Sequence, residues 1–243
     1  MKRVVDIIFS LLGLMVASPI LLIFIVAVWL QDFKSPFYIA PRAGKKMQIF
    51  HMVKLRSMVV NADKSGVDST SADDMRITSV GNLIRKFKID ELSQLWNVLK
   101  GDMSFVGPRP NVEREVDLYT SEERHLLDIR PGITDFSSIV FSDEGEILGG
   151  AKDPDLLYNQ IIRPWKSRLG LFYVQHHNLI LDIKLILLTV IAIVSRQQAL
   201  NGVVKILEDL GADERLVAVA KRNTELQPFP PPGAETIMAS RSI

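Results

Sequence analysis

Residues 4–30 form one long apolar run with a proline near its centre. A helix needs about 20 apolar residues to cross the hydrocarbon core of a bilayer, so this run is long enough. Pro19 removes one backbone hydrogen bond from such a helix and presses its ring on the preceding turn, so we expect a bend at Ser18-Pro19. The bend permits either a kinked helix that spans the bilayer or a re-entrant helix that leaves on the side where it entered.

Positive side chains flank this run at both ends. Lys2 and Arg3 precede it, and the basic residues after it are Lys34, Arg42, Lys45 and Lys46. Because positive residues beside a membrane segment favour the cytoplasmic face, we expect both ends on that face. The sequence therefore predicts a re-entrant, proline-kinked membrane helix over residues 1–33, with the kinked span as the alternative. The run is too long for a secretory signal and lacks a small-residue cleavage site, so we expect it to remain as an anchor.

Length and charge limit what the rest of the chain does. The 243 residues suffice for one soluble domain beside the anchor. A net charge of +1 argues against nucleic acid as a partner, because nucleic-acid binding normally needs a strongly basic face. The chain has no cysteine, which excludes disulfides, thiolate catalysis and cysteine-ligated metals.

The remaining patterns predict a mainly α fold with a small β-hairpin, in the α+β class. Residues 37–39 and 47–50 read as two short strands around a turn at 41–46. Residues 90–99 carry apolar side chains at helical spacing, and Gly101 is placed to end that helix. A second apolar run, at 183–194, is too short to span and reads as a core helix or an interfacial one.

The most suggestive cluster for chemistry is an acid pair that follows three cations. Arg85, Lys86 and Lys88 come directly before Asp90 and Glu91, which open the predicted helix. The N-terminus of a helix favours an ionised carboxylate and attracts phosphate, so Asp90 could attack phosphorus or hold Mg²⁺. The alternative is structural, because Asp is a preferred N-cap and Glu is common in a first helical turn.

Two further stretches offer cations for phosphate. Arg109 stands between Pro108 and Pro110, which stiffen the backbone and suit a bidentate contact to phosphate or carboxylate. Lys54 and Arg56 stand at alternate positions in the stretch 54–58, and a strand that carries alternate cations on one face is usually solvated there. A solvated arginine in a proline-rich turn is likewise the alternative for Arg109.

Together these segments resemble the bacterial sugar transferase family, the monotopic phosphoglycosyl transferases, from Lys2 to about Val194. The block from Asp90 to Pro110 is highly specific to that family. The other matching segments, in family order, are Lys2-Arg3 with Asp6, Ser18-Pro19, Arg42-Ala43-Gly44-Lys45, Lys54-Leu55-Arg56-Ser57-Met58, Arg76-Ile77-Thr78, Gly81 to Arg85, and Arg130-Pro131-Gly132-Ile133-Thr134.

The resemblance implies an enzyme that moves a sugar-1-phosphate from a nucleoside diphosphate sugar, expected to be a UDP-sugar, to a membrane polyprenyl phosphate. It implies that Asp90 is the nucleophile and forms a covalent phosphosugar ester. It also implies that Asp90 and Glu91 hold Mg²⁺, that Lys54, Arg85 and Arg109 bind substrate phosphate, and that Ser18-Pro19 makes the membrane helix re-entrant. The implied place is the cytoplasmic face of a bacterial inner membrane; homo-oligomerisation stays open.

The resemblance divides the chain into the membrane helix at 1–33, a catalytic domain at 34–196 and a C-terminal extension at 197–243. The extension carries no assigned function, and its last part, from Gln227, is rich in proline and expected to be disordered.

Two departures from the family pattern stand out. Many relatives have Gly-Trp and a glutamine-containing strand after Pro-Gly-Ile-Thr, where this chain has Asp135-Phe136 and then residues 141–148. This region is expected to shape the sugar or nucleotide pocket. The usual Leu-Pro after the acid pair is Leu92-Ser93. The rival functions are a membrane-bound nucleotide-sugar hydrolase with the same acid pair, and a non-catalytic membrane scaffold whose acid pair only caps a helix.

Overall fold

The computed structural model describes residues 2–65, 69–71 and 73–240. It is mainly helical with two pairs of short strands, which confirms the predicted fold class. The strands are β1 Phe37–Ala43, β2 Ile49–Leu55, β3 Ser104–Val106 and β4 Gly132–Thr134. The helices are α1 Lys2–Asp32, α2 Ser79–Lys86, α3 Ile89–Leu92, α4 Leu95–Lys100, α5 Glu113–Val116, α6 Phe136–Val140, α7 Glu144–Ile147, α8 Pro154–Leu157, α9 Arg163–His176, α10 Leu179–Val194, α11 Arg196–Asp209 and α12 Glu214–Lys221.

The apolar run forms α1, which continues through Pro19. Within the described residues, α1 is the one helix both long enough and apolar enough to cross a membrane. The amide missing at Pro19 would have bonded to the carbonyl oxygen of Met15. Ser18 Oγ donates to that oxygen instead, at 2.8 Å. The Ser-Pro pair thus replaces its own lost hydrogen bond, which matters where water cannot do so. The path of α1 through a bilayer stays a prediction.

Both ends of α1 are fastened to the rest of the protein. At its start, Lys2 Nζ donates to Asp182 Oδ2 at 2.7 Å and to Tyr173 Oη at 2.8 Å. At its end, Asp32 receives both Nη atoms of Arg56, at 2.5 and 2.6 Å. A helix of this length is about 45 Å long, so the rest of the protein contacts α1 at two points that are far apart.

The structure confirms the predicted hairpin, but its strands and turn have different bounds from those predicted. β1 and β2 pair antiparallel from Phe37 with Leu55 to Ala43 with Ile49, so each strand is longer than predicted and the turn lies at 44–48. The sequence did not predict that β3 and β4 pair in parallel. The loops around this pair approach closely, because a Cβ on Gly132 would lie 2.1 Å from the amide nitrogen of Gly107. Only glycine fits there.

The helix predicted over residues 90–99 is divided into α3 and α4. Ser93 and Gln94 join them with helical backbone angles, and Gly101 ends α4 at φ +104°, as predicted. Ser93 Oγ lies 2.8 Å from the carbonyl oxygen of Asp90 and 3.2 Å from that of Val53, so its hydroxyl can bond to either. We attribute the break between α3 and α4 to Ser93, because a serine hydroxyl that bonds to backbone carbonyls competes with the regular hydrogen bonds of a helix. The spacing of apolar residues does not reveal such a contact.

The second apolar run belongs to α10, one side of which is in the core. Leu181 and Leu185 are buried, whereas Ile183, Leu187 and Val190 are exposed. The buried side joins a core cluster that includes residues of α6, α9, α11 and α12. The C-terminal extension therefore packs on the preceding part of the chain through α11 and α12.

The proline-rich end has no helix or strand and lies against α9 and the residues before it. Phe229 stacks on Trp165 with ring centres 4.7 Å apart, and Thr120 Oγ1 donates to the carbonyl oxygen of Pro232 at 2.5 Å. Disorder was expected from Gln227 to the end of the chain. Residues 227–240 of that stretch are described and make the contacts above, and residues 241–243 lie outside the described residues.

A buried ion pair joins the 3₁₀ segment Glu123–Asp128 to α9. Glu123 is fully buried, and its carboxylate accepts from Arg163 Nη2 at 2.5 Å and from Ser167 Oγ at 2.6 Å. Removing one partner of such a pair leaves the other charge buried and uncompensated.

Glu123→Gln should therefore lower the free energy of unfolding by about 3–5 kcal/mol, measured by chemical denaturation in detergent. The matched control is Asp128→Asn, in the same segment, because its pairing with His125 is exposed on both sides. That variant should stay within about 0.5 kcal/mol of the wild type. Equal effects of the two changes would contradict the role given to Glu123.

Candidate functional site

The acid pair lies in α3, but Asp90 does not occupy the cap position. The N-cap residue is Lys88, in the left-handed conformation at φ +52°, so Asp90 is the second helical residue. The N-cap part of the structural alternative is therefore wrong in this fold, whereas both acids do lie in the first turn of α3, as the other part of that alternative has it. With only four residues, α3 is also too short for the helix-terminus argument to carry much weight.

Strand β2 runs beside α3 and brings a cation to Asp90. Lys54 Nζ lies 3.7 Å from Asp90 Oδ2, and both side chains are mostly buried. Asn97 fixes this arrangement, since its Oδ1 accepts from the amide of Val53 at 2.9 Å and its Nδ2 donates to the carbonyl of His51 at 2.8 Å. One polar side chain of α4 thus bonds to two backbone groups of β2, one of which belongs to the residue before Lys54.

The proline-flanked arginine reaches the other acid. Arg109 Nη2 lies 3.0 Å from Glu91 Oε1, and about a third of the arginine side chain is exposed. A small cleft continues from Arg109 between the hairpin turn and residues 126–131, and Gly44, Asn111 and Tyr119 also line it. Arg109 therefore pairs with Glu91 while about a third of its side chain stays exposed to solvent.

Charges of both signs control the titration of this cluster. Burial alone would raise the pKa of Glu91, but the charges of Arg109, Lys54 and Lys88 outweigh it and lower that pKa below its ordinary value. Glu91 raises the pKa of Arg109 further above its usual range. Burial, aided by the Arg109 charge, lowers the pKa of Lys54. Glu91 is thus ionised at neutral pH.

Four of the predicted site residues lie in one cluster, and the other predicted residues lie elsewhere. The cluster consists of Lys54, Asp90, Glu91 and Arg109. Arg85 is in the last turn of α2, and its charge helps to lower the pKa of Asp74. Ser18 and Pro19 are exposed on α1, away from this cluster. Sequence reasoning missed Ser93 and Asn97; their only signal was polarity at buried positions of a helix.

The donor set fits Mg²⁺ in part. Asp90 and Glu91 supply carboxylate oxygens, and within the described part of the chain no group of three or more His, Cys, Asp or Glu side chains is arranged to hold a metal. Mg²⁺ is commonly bound by one or two carboxylates together with substrate phosphates and water. The acid pair is thus suited to a metal that arrives with a diphosphate.

The chain belongs to a known family. The Bacterial sugar transferase family matches residues 1–196, so the chain is a member of it, and with its long apolar α1 it is a membrane-associated protein.

Three curated relatives are similar to this chain over part of their length. The chain is 34% identical over 194 residues to the UDP-N-acetylgalactosamine-undecaprenyl-phosphate N-acetylgalactosaminephosphotransferase of Aeromonas hydrophila, covering 78% of this chain and 42% of that protein. It is 38% identical over 148 residues to the exopolysaccharide production protein ExoY of Sinorhizobium fredii, covering 55% and 66%. It is 38% identical over 149 residues to the undecaprenyl-phosphate galactose phosphotransferase of Salmonella typhimurium, covering 55% and 31%. The matched region thus spans less than two thirds of each relative.

The electrostatics of Glu91 predict a pH-dependent stability. Its pKa in the folded protein lies below the ordinary value of 4.5, so ionised Glu91 stabilises the fold above that pH, and the contribution is lost as the pH falls through the folded pKa. Arg109→Met removes the cation that lowers this pKa most. The variant should be less stable than the wild type at pH 7, and the difference should shrink below pH 4.5.

Chemical denaturation at pH 7 and near pH 3.5 would measure this effect. Lys86→Met, on the exposed side of α2, is the control and should show the same small difference at both pH values. A constant difference between Arg109→Met and the wild type would contradict the assigned pairing.

Proposed function

We propose that this protein transfers a sugar-1-phosphate from a nucleoside diphosphate sugar to a polyprenyl phosphate, as the first membrane step of surface glycan assembly. The observation that carries the proposal is the convergence of Lys54 on Asp90 and of Arg109 on Glu91 in one partly open cluster. A pair of acids with matched cations suits a diphosphate, since the cations offset its charge while a carboxylate attacks. The relatives named as undecaprenyl-phosphate phosphotransferases support the same reaction.

The proposed chemistry has two displacements at one phosphorus. A carboxylate oxygen of Asp90 attacks the phosphorus that bears the sugar, and the bridging P–O bond breaks to release the nucleoside monophosphate. An oxygen of the polyprenyl phosphate then attacks the same phosphorus, and the bond to Asp90 breaks. Each step forms one P–O bond and breaks another, so the energy of the diphosphate linkage is retained in the lipid product.

The cations and Glu91 have separate roles in the proposed reaction. Arg109 presents its free side to a phosphate of the donor, where a planar guanidinium can bind two oxygens. Lys54 holds Asp90 in place between turnovers. A Mg²⁺ bound by Asp90 and Glu91 would neutralise phosphate charge. Arg85 is proposed as a contact for the incoming anion rather than for the acid pair.

The attachment of α1 supports a re-entrant seat at the membrane. If α1 crossed the bilayer, Lys2 and Asp32 would lie on opposite faces, yet ion pairs fasten them to Asp182 and Arg56 of the same domain. A domain with charged groups near both ends cannot follow a helix through hydrocarbon at low cost. We propose that both ends of α1 face the cytoplasm, with the catalytic domain on the cytoplasmic side of a bacterial inner membrane.

The hydrolase alternative uses the same first displacement and passes the phosphosugar to water. Product analysis with and without polyprenyl phosphate separates the two functions, since a transferase forms a lipid-linked product and a hydrolase does not. The scaffold alternative predicts no release of nucleoside monophosphate from any nucleotide sugar.

The covalent route makes a direct prediction for Asp90. Incubating the purified protein with a nucleotide sugar and Mg²⁺, without lipid acceptor, should add one sugar-phosphate mass to the intact protein, and peptide mapping should place it on Asp90. Asp90→Asn should fold normally and lose essentially all turnover, because an amide is a poor nucleophile.

Glu91→Gln is the matched control for this experiment. It keeps the nucleophile, so it should still form the Asp90 adduct, although slowly. Rapid turnover by Asp90→Asn, or an adduct mapped to another residue, would refute the covalent route.

The topology prediction uses the absence of cysteine in the chain. Single cysteines placed ahead of Lys2 and in place of Lys34 should both resist a membrane-impermeant thiol reagent in intact cells and react after lysis. Ser18→Ala combined with Pro19→Ala restores a regular helix and should move part of the population to a full span. Labelling of the wild-type N-terminal cysteine in intact cells would contradict the re-entrant seat.

A further inference from the structure

Gln94 follows the acid pair by one helical turn, and its side chain is buried. Only 1% of the residue is exposed, and its amide nitrogen Nε2 has no hydrogen-bond partner in the part of the chain that the structure describes. Two other buried polar atoms share this property there, but they belong to Asp143 and Arg222, whose side chains pair with each other at 3.0 Å. The carboxamide of Gln94 stands apart, because no ion pair compensates for its unpaired atom.

The polar side chains around Gln94 in the sequence do have partners. Ser93 Oγ lies 3.2 Å from the carbonyl oxygen of Val53, and Asn97 makes two hydrogen bonds to the backbone of β2. These two side chains fasten α3 and α4 to the strand. The Nε2 of Gln94 is not used in that attachment, so its burial needs another explanation.

The backbone places the Gln94 side chain beside Glu91. The amide of Gln94 donates to the carbonyl oxygen of Glu91 at 3.1 Å, and Ser93 and Gln94 both have helical backbone angles. A bond that spans three residues makes a tight turn in which the first and last side chains nearly eclipse each other. Helical side chains also lean toward the N-terminus. The carboxamide therefore lies over the turn that carries Glu91.

An unpaired amide in a buried place costs free energy, since it has lost water and gained no other acceptor. Folded proteins satisfy nearly all such groups, and a catalytic role is one reason for an exception. The turn after Gln94, at Val98, belongs to an apolar cluster and offers no carboxylate or carboxamide acceptor. The side-chain acceptors along the helix are the carboxylates of Asp90 and Glu91, and Glu91 is the one in line with Gln94.

Glu91 has a reason to need a second donor. Its carboxylate is 19% exposed, and its hydrogen-bonded cation is Arg109, at 3.0 Å. In the proposed reaction Arg109 also binds a phosphate of the nucleotide sugar, so its guanidinium is then shared between two anions. A mostly buried carboxylate that loses part of its partner is costly. A carboxamide can donate to it without adding a charge.

We infer that Gln94 is a positioning residue for Glu91: when the phosphate of the nucleotide sugar draws Arg109 away, Gln94 Nε2 donates to the Glu91 carboxylate and holds it in place. This inference rests on the proposed function. It explains why the amide is free in the resting protein, where Arg109 still pairs with Glu91.

The first test measures melting temperatures of the full-length protein in lipid nanodiscs without substrate. It compares the wild type, Gln94→Met, Arg109→Met and the double variant. Gln94→Met alone removes an unpaired polar group, so it should leave the melting temperature unchanged or raise it. In the Arg109→Met background Glu91 has no arginine, so Gln94 should bind it already in the resting protein. There Gln94→Met should lower the melting temperature by about 3–10 °C, the loss of one hydrogen bond to a charged group.

Gln160→Met is the matched control. Gln160 is a partly buried glutamine whose Nε2 already has an acceptor, the carbonyl oxygen of Met238 at 2.9 Å. This change should lower the melting temperature by the same amount with and without Arg109. A reversal of sign between the two backgrounds is thus expected for Gln94 and not for Gln160.

The second test is steady-state kinetics with polyprenyl phosphate and the UDP-sugar that the wild type uses fastest. Gln94→Met should raise KM for the UDP-sugar about tenfold, because the bond to Glu91 forms when that substrate engages Arg109. The KM for polyprenyl phosphate should stay at the wild-type value. A purely structural role for Gln94 would not restrict the effect to one substrate.

The outcomes separate this inference from the proposed function. A lower melting temperature or a failure to fold in Gln94→Met alone means that the amide has a partner in the resting protein, and overturns the inference. Equal effects of Gln94→Met with and without Arg109 also overturn it, whereas a double variant that fails to fold while both single variants fold has the expected sign.

Kinetics decide the remaining cases. An active wild type whose KM for the UDP-sugar does not respond to Gln94→Met overturns the inference alone. A wild type that releases no nucleoside monophosphate from any nucleotide sugar overturns the proposed function, and this inference falls with it.

Discussion

The rest of this structure depends on the packing of α1, along its length, against α3, which carries Asp90 and Glu91, and against α4. Ala17, Leu21 and Val28 of α1 form one buried cluster with Leu55, Ile84 and Ile89. Ile89 directly precedes Asp90, and Leu55 directly follows Lys54. The membrane helix therefore supports both members of the Lys54–Asp90 pair from behind. Gly13 lets α4 come close, since a Cβ there would lie 3.0 Å from Leu95 Cδ1.

This packing explains why the acid pair and the membrane belong to one unit. In the proposed reaction the phosphate of the acceptor lies at the membrane surface and the nucleophile must reach the same depth, and α1 packs directly against α3. The polar groups at the start of α1 serve this attachment too. Arg3 donates to the carbonyl oxygens of Val98 and Leu99, and Asp6 accepts from Ser104 Oγ. Positive charge at this end is thus bound by the protein, in addition to any attraction to lipid.

The departures from the family pattern have local structural consequences. Ser93, where the resemblance leads us to expect proline, has a hydroxyl that joins α3 to β2 beside Lys54. Residues 140–143 are held by two arginines, one of which lies beyond the family match. Changes at these points alter how the site is supported while its acids and cations stay the same.

Local signals in the sequence were sufficient for the anchor, the fold class, the hairpin and the end of α4 at Gly101, because each depends on neighbours along the chain. The acid pair and the proline-flanked arginine were also visible as motifs. The sequence alone left open whether Asp90 caps a helix, and it predicted one helix where the structure has α3 and α4. It did not predict the β3–β4 pair or the contacts of the extension. Those features depend on residues far apart in the chain, such as Glu91 with Arg109 and Asp143 with Arg222. Periodicity and spacing in a sequence indicate only which face of a helix or strand is apolar. The pairing of charged side chains depends on how those faces pack against one another, so only the tertiary structure determines it.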